Sequence, residues 1–377
     1  MALATYAVAN ALLLERYLRG RVPLSLALTL TYVAGLVAVP WVLRAVPQRW
    51  LGRVVAGVCT AVVLVGATVL VAVDPDDLDV DRWSAVTAFW DAAFRGDYPY
   101  SAPSHLGGYS GQFPFFFLFA LPFRLTREVG LLPLAAWLGF VGAVWRWADR
   151  RSAAEVAVLG LGGAAMWWEV GTRSNLFANM ALAVAVVAVT LRWRPATSAR
   201  ALVLGLAAGL VASTRGIVAL PLAALVASVF LWSPVGDPPL PLGAATRRLA
   251  AQRMARLAVY VGAAVAAFVA TFVPLLAWGF GDLREYNPFA FQARFVPWWG
   301  YGVALAASVL WCGRSPRLAV VAARSGVLVL AVVGVHLAIG IADVGLDAAL
   351  EGGEIDVSYV AFALPLALTG LTRAGDG

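Results

Sequence analysis

Apolar runs long enough to cross a membrane recur along this chain, separated by short segments that alternate between arginine-rich and acid-rich. A helix rising 1.5 Å per residue needs about 20 apolar residues to cross roughly 30 Å of hydrocarbon. Such runs occupy 22–45, 54–73, 130–148, 153–170, 175–192, 257–280, 299–313, 326–342 and 357–372. Residues 2–14 are apolar but short, which suits either a tilted span or a helix lying on the surface. Residues 200–232 are apolar except for Ser213-Thr214-Arg215-Gly216, so two short helices broken at that point are predicted. The expectation is an all-α, polytopic transmembrane bundle of about ten to twelve spans, a single integral membrane domain over 1–377.

The arginines orient it. Arg44, Arg49 and Arg53 share one loop, Arg146, Arg150 and Arg151 a second, and Arg192, Arg194 and Arg200 a third. Arg247, Arg248, Arg253 and Arg256 form the fourth, and Arg314, Arg317 and Arg324 the fifth. The positive-inside rule puts all five in the cytoplasm. Arg16, Arg19 and Arg21 are an exception, since a full crossing by 22–45 leaves them outside. The opposite loops are acidic: Asp74, Asp76, Asp77, Asp79 and Asp81 in one, and Asp343, Asp347, Glu351, Glu354 and Asp356 in another. A full crossing by Phe113–Leu125 would invert the second and third arginine loops, so this proline-containing stretch is predicted to be interfacial or re-entrant. Residues 74–125 thus form a first outer loop. Within it, Val86, Phe89, Trp90, Ala93 and Phe94 recur near helical spacing, which predicts an interfacial amphipathic helix over 81–94.

Composition narrows the class. The chain is 62% hydrophobic and 13% charged, against roughly 25% charged in soluble domains, and leaves no room for a large water-soluble domain. Its net charge is +7 with arginine as the only basic residue besides two histidines. Because the arginines cluster at span ends, the charge points to membrane orientation and not to nucleic acid. Cys59 and Cys312 lack metal-ligand spacing. The N-terminus has no basic n-region followed by a cleavage site, so no removable signal peptide is expected.

Candidate chemistry gathers on the outer side. Ionisable groups in or near apolar segments are costly and mark functional sites by default. Glu169, Arg173 and Asn175 cluster at the outer ends of two spans; Glu169 is open to two readings, a second acid or a helix-end ion pair with Arg173 four residues on. Arg215, between two apolar halves, is the candidate contact for a phosphate, which suits the planar guanidinium fork; the alternative is an arginine snorkelling from a kink. His105, in a Gly/Ser-rich loop, is an acceptor contact or simply exposed. His336, within a span, is a ligand contact or a helix–helix hydrogen bond. Asp282-Leu283-Arg284-Glu285-Tyr286 with Arg294, and Asp356-Val357-Ser358-Tyr359, either shape a cleft or are solvated loop charge. Gly160, Gly162 and Gly163, and likewise Gly205 and Gly209, read as close helix packing and not as phosphate loops.

The first outer loop runs Asp79-Val80-Asp81-Arg82-Trp83, through a helix, to Gly96-Asp97-Tyr98-Pro99-Tyr100, then Gln112-Phe113-Pro114-Phe115 and Leu121-Pro122-Phe123. This resembles the first outer loop of the GT-C superfamily of membrane glycosyltransferases, and most of all its polyprenyl-phosphate-mannose-dependent α-mannosyltransferases. Weaker echoes follow at Glu169 to Asn175, at the broken Ser-Thr-Arg-Gly helix, and at Tyr359 with Leu364-Pro365. Two features depart from the pattern: one proline in the turn where the family often has two, and extra apolar residues before the loop. The resemblance implies transfer of a hexose, most often mannose, from a polyprenyl-phosphate donor to a lipid, glycan or protein acceptor at the outer face of a cell membrane. It implies Asp81 as general base, with Asp79 second, and Tyr100 in the turn that shapes the site. A lipid-phosphate sugar already has a good leaving group, so one carboxylate that takes the acceptor's proton suffices for an inverting displacement. The plain alternative is that these acids cap a helix N-terminus. No cofactor is implied, although carboxylates could hold a divalent cation. Two other classes compete: a transporter or lipid flippase, which would show paired broken helices, and a non-catalytic membrane scaffold.

Overall fold

The computed structural model describes residues 1–232, 244–293, 297–345 and 356–373, and among them every regular element is helical. Five helices are long and apolar enough to cross a membrane: Ser25–Ala45, Gln48–Ala72, Leu176–Trp193, Arg248–Trp278 and Leu318–Val344. Shorter apolar helices pack among them, including Leu131–Trp147, Ser198–Ala212 and Gly216–Leu231. In the order used below, α1 is Ala2–Leu18, α2 Ser25–Ala45, α3 Gln48–Ala72, α4 Arg82–Arg95, α5 Pro114–Leu125, α6 Leu131–Trp147, α7 Arg150–Gly162 and α8 Ala164–Gly171. The chain continues as α9 Leu176–Trp193, α10 Ser198–Ala212, α11 Ala219–Val226, α12 Ala244–Trp278, α13 Phe280–Glu285 and α14 Pro288–Ala293. It closes with α15 Trp298–Ala307, α16 Leu318–Val344 and α17 Ala363–Gly370.

All five arginine loops meet at one end of the bundle. Arg151 donates to the carbonyls of Arg44 and Val46, both at 3.3 Å. Arg256 donates to the Ala196 carbonyl at 2.7 Å, and Arg194, Arg253, Arg256 and Pro316 line one small polar pocket. Helix α1 runs the height of the bundle: Ala2 packs on Gly370, and Tyr17 accepts from Trp168 Nε1 at 2.6 Å. Arg16 therefore reaches the opposite end, near Asp356, so the exception to the arginine bias is real.

Both ends of Phe113–Leu125 are tied to the end of the bundle opposite the arginine loops. Its start is bonded to the α10–α11 break (Phe113 N to Thr214 O, 3.1 Å), and beyond its end Glu128 pairs with Arg173 at 3.0 Å, beside the last carbonyls of α3. Helix α4 lies against α5, joined by the Asp91–Arg124 ion pair and by Trp90 Nε1 donating to Phe117 O at 3.1 Å. The buried face of α4 is Arg82, Ala85, Val86, Phe89 and Ala92, and Phe94 is 62% exposed, so the apolar stripe sits slightly earlier than the spacing predicts. Helix α4 ends where Gly96 takes a left-handed φ of 87°, a conformation that favours glycine.

The predicted span 153–170 is instead two helices broken at Gly163. The break frees backbone groups that an apolar interior cannot leave unpaired, and α1 and α2 supply the partners. Tyr6 donates to Leu159 O (2.6 Å), Ala164 N donates to the Tyr32 hydroxyl (2.7 Å), and Ala165 N to Asn10 Oδ1 (3.0 Å). The predicted span 357–372 divides similarly, into a 3-10 turn over Val357–Phe362 and α17. Helices α10 and α11 run up from and back to the arginine end, with Ser213–Gly216 at their turn. Gly205 and Gly209 let α12 press onto α10: a Cβ on Gly209 would lie 2.0 Å from the Ala264 carbonyl oxygen, and one on Gly205 2.3 Å from that of Tyr260. Such close backbone approach is how helices associate where burial from water no longer drives them together.

Candidate functional site

At the end opposite the arginine loops, residues 74–125 fold down onto the helix ends. Asp81 is the residue before α4, but its side chain does not cap that helix. Its Oδ2 accepts from Ser104 Oγ at 2.7 Å, and Gly108 lies alongside, where a Cβ would sit 2.9 Å from Oδ2. His105 closes this loop against the start of α4: Nδ1 lies 2.7 Å from Ser84 Oγ, and Nε2 lies 3.0 Å from Leu78 O. Its ring also sits 5.5 Å from that of Trp83. The solvent side of His105 is exposed, yet the residue is a fastener. Asp79 is exposed on the approach to Asp81.

Next to Asp81, Arg82 turns inward and is 6% exposed. Its guanidinium pairs with Asp356, donates to Ser358 Oγ (2.8 Å) and Ser174 Oγ (2.9 Å), and lies between the rings of Trp168 and Tyr359 at 5.2 and 5.3 Å. Ser174 in turn donates to Glu169 Oε1 at 2.8 Å, and Glu169 Oε2 accepts from Phe177 N at 3.1 Å. Glu169 is thus fully buried against the free N–H groups that open α9, and burial raises its carboxyl to about 7 against the opposing pull of Arg82 and these hydrogen bonds. Burial alone would raise the Asp356 carboxyl, but the Arg82 guanidinium, the Ser358 hydrogen bonds and Arg16 together hold it below the ordinary value. Burial works against the Arg82 charge, and Asp356, Tyr359, Glu169 and Asp81 together outweigh it, so Arg82 is held above its ordinary value.

The helix-end pair between Glu169 and Arg173 does not form. Arg173, with a φ of 51°, turns the other way; it pairs with Glu128 and donates to Leu70 O (2.9 Å) and Val73 O (3.1 Å), closing the C-terminal end of α3. Asn175 precedes α9, is 1% exposed, and its Oδ1 accepts from Asn179 Nδ2 at 3.2 Å. Tyr100 is buried in an aromatic cluster with Phe89 and Phe117 and donates to Gln112 O at 2.7 Å. Burial pushes its hydroxyl well above the ordinary value, as befits a packing and positioning group.

Arg215 occupies the α10–α11 break, is 8% exposed, and faces the Tyr359 hydroxyl. Its Nε is buried without a hydrogen-bond partner. It lines a cavity of about 300 Å³ whose walls are mostly apolar, from α11, α15 and α16, and which His336 and Tyr301 also border. Gln292 of α14 bridges the rim, donating to Gly111 O and accepting from Gly216 N, both at 2.5 Å. The Gly/Ser-rich loop therefore links the two charges, with Gly108 against Asp81 and Gly111 close to Arg215. Arg294 lies outside the described residues. Among the described residues no group of three or more His, Cys, Asp or Glu side chains is arranged to hold a metal ion, and both cysteines are free thiols.

Sequence reasoning brought Asp81, Glu169, Arg215 and Tyr359 to one end but gave no role to Arg82, Ser174, Gln112 or Gln292. Arg82 carried a signal, since it falls in register with Ala85, Val86 and Phe89 on the buried face of α4. Asp356 and Ser358 read either as shaping a cleft or as solvated loop charge, and only the fold brings them to Arg82. No protein family, curated protein or solved structure matches the chain.

Proposed function

We propose that this protein is a GT-C-like membrane glycosyltransferase that moves a hexose, mannose by resemblance, from a polyprenyl-phosphate donor to a lipid, glycan or protein acceptor. The observation that carries this reading is Arg215, a buried cation with an unpartnered Nε on the wall of an apolar cavity, on the same loop system as the uncapped carboxylate of Asp81. A polyprenyl-phosphate sugar presents the matching chemistry: a phosphate for the guanidinium and an apolar tail for the cavity.

In the proposed reaction an acceptor hydroxyl attacks the anomeric carbon while the Asp81 carboxylate takes its proton. The bond from the anomeric carbon to the phosphate oxygen breaks, and polyprenyl phosphate leaves with the electron pair. Arg215 meets the charge that grows on the leaving phosphate. The Arg82–Asp356 pair and Glu169 fix the floor beneath Asp81 and act through position. By the arginine bias, this end faces away from the cytoplasm of a cell membrane.

Purified protein in nanodiscs, given radiolabelled polyprenyl-phosphate-mannose and membrane lipid extract, should transfer sugar. Asp81→Asn should abolish transfer and Asp79→Asn should leave most of it. Transfer that survives Asp81→Asn would remove Asp81 as base. A well-folded parent inactive with mannose, glucose and arabinose carriers alike would favour a transporter or scaffold.

A further inference from the structure

Another cavity lies away from this site. It encloses about 900 Å³ between α6, α9, the start of α16 and the end of α17, and its upper wall is formed by Phe119 and Phe123 of α5. Small residues, among them Gly139, Ala143, Ala181 and Ala185, leave the space between the facing helices unfilled as an apolar slot. At the arginine end the slot is closed by Arg317 and Arg373, with Trp147 beside them. Arg317 is exposed, and Arg373 is 56% exposed. Arg373 approaches the Glu155 carboxylate at 4.0 Å, beyond hydrogen-bonding distance, and both arginines line the slot.

We infer that this slot binds an anionic phospholipid, its phosphate held by Arg317 and Arg373 and its acyl chain lying along α6 and α9 toward Phe119. Charge complementarity selects this occupant: an apolar slot with two guanidinium groups at one mouth matches a single negative headgroup on an alkyl chain. A zwitterionic lipid would bring its own cation to the same mouth. The inference needs the chain to sit in a bilayer, but it does not depend on the glycosyltransferase reading.

Trp147 makes the test local. Full-length protein in nanodiscs would be titrated with phosphatidylglycerol brominated near the headgroup, with brominated phosphatidylcholine as comparison, and the tryptophan quenching lost in Trp147→Phe would be taken as the slot signal. That signal should saturate at lower mole fraction for phosphatidylglycerol. Arg317→Gln and Arg373→Gln should each weaken it about fivefold. Ala143→Phe, which fills the slot while keeping both arginines, should abolish it. Equal quenching by both lipids, unchanged in the arginine variants, would mean ordinary boundary lipid and overturn the inference. Displacement by unlabelled polyprenyl phosphate but not by phosphatidylglycerol would assign the slot to a carrier lipid and overturn it too. So would a dimer in which Trp147 is shielded from both brominated lipids.

Discussion

The Arg82–Asp356 pair offers the most direct test of how the outer loop is held down. Arg82 is 6% exposed, while the Asp356 side chain is 37% exposed, so water reaches only one partner. Removing one member of a fully buried pair costs about 3–5 kcal/mol, because the other is left charged and uncompensated. Partial solvation of Asp356 places Arg82→Gln near the lower bound, about 3 kcal/mol. Asp356→Asn leaves Arg82 its bonds to Ser174 and Ser358 and its two ring contacts, and should cost about 2 kcal/mol. With both charges gone the penalty of the orphan disappears, so the double variant should fall short of the sum by about 1–2 kcal/mol. The assay is equilibrium unfolding from mixed micelles by SDS, followed by tryptophan fluorescence, with unfolding rates compared if refolding is incomplete. Additivity within about 0.5 kcal/mol would refute the reasoning, because the two side chains would then contribute independently and the loop would be held by something else.

The same pair predicts a pH dependence. The Asp356 carboxyl is held below its ordinary value of 3.8, so its contribution is complete above that pH and is lost as pH falls through the lower folded value. Asp356→Asn should flatten that acid limb in a pH series of unfolding midpoints. Gly209→Ala would push a Cβ to 2.0 Å from the Ala264 carbonyl oxygen and should destabilise by at least about 2 kcal/mol, whereas Gly262→Ala, which meets nothing within 4 Å, should be near neutral in the same unfolding assay. Gly108→Ala crowds Asp81 Oδ2 at 2.9 Å and should lower kcat for sugar transfer more than it raises the acceptor KM. Arg215→Met should raise the donor KM and lower kcat while the protein elutes and melts like the parent; unchanged donor kinetics would remove Arg215 from the phosphate.

Some of this was legible along the chain because it is local. Hydrophobic run length marked the five helices long and apolar enough to cross a membrane, but not which of the other runs are broken, and arginine placement separated the two ends of the bundle before any helix was packed. That both ends of Phe113–Leu125 lie at one end of the bundle agrees with the same count, since a crossing there would have put two arginine loops on the wrong side. The break at Ser213–Gly216 was visible because four polar or flexible residues interrupt an otherwise apolar run. The break at Gly163 was not. Its flanks are apolar, and the groups that make it tolerable (Tyr6, Asn10 and Tyr32) come from helices more than a hundred residues earlier.

Residue order made legible a helical chain with apolar runs long enough to cross a membrane, which loops share an end, and the cluster of acids over residues 74–81. Only the tertiary structure decided which charges meet. Glu169 and Arg173 stand at pairing distance on an ideal helix, but the chain leaves α8 between them, and Arg173 swings to Glu128 while Glu169 takes the N-terminus of α9. Arg82 finds Asp356 across 274 residues of sequence. Pairings at that separation depend on how helices stack and where their ends fall, and no spacing rule within one helix encodes that.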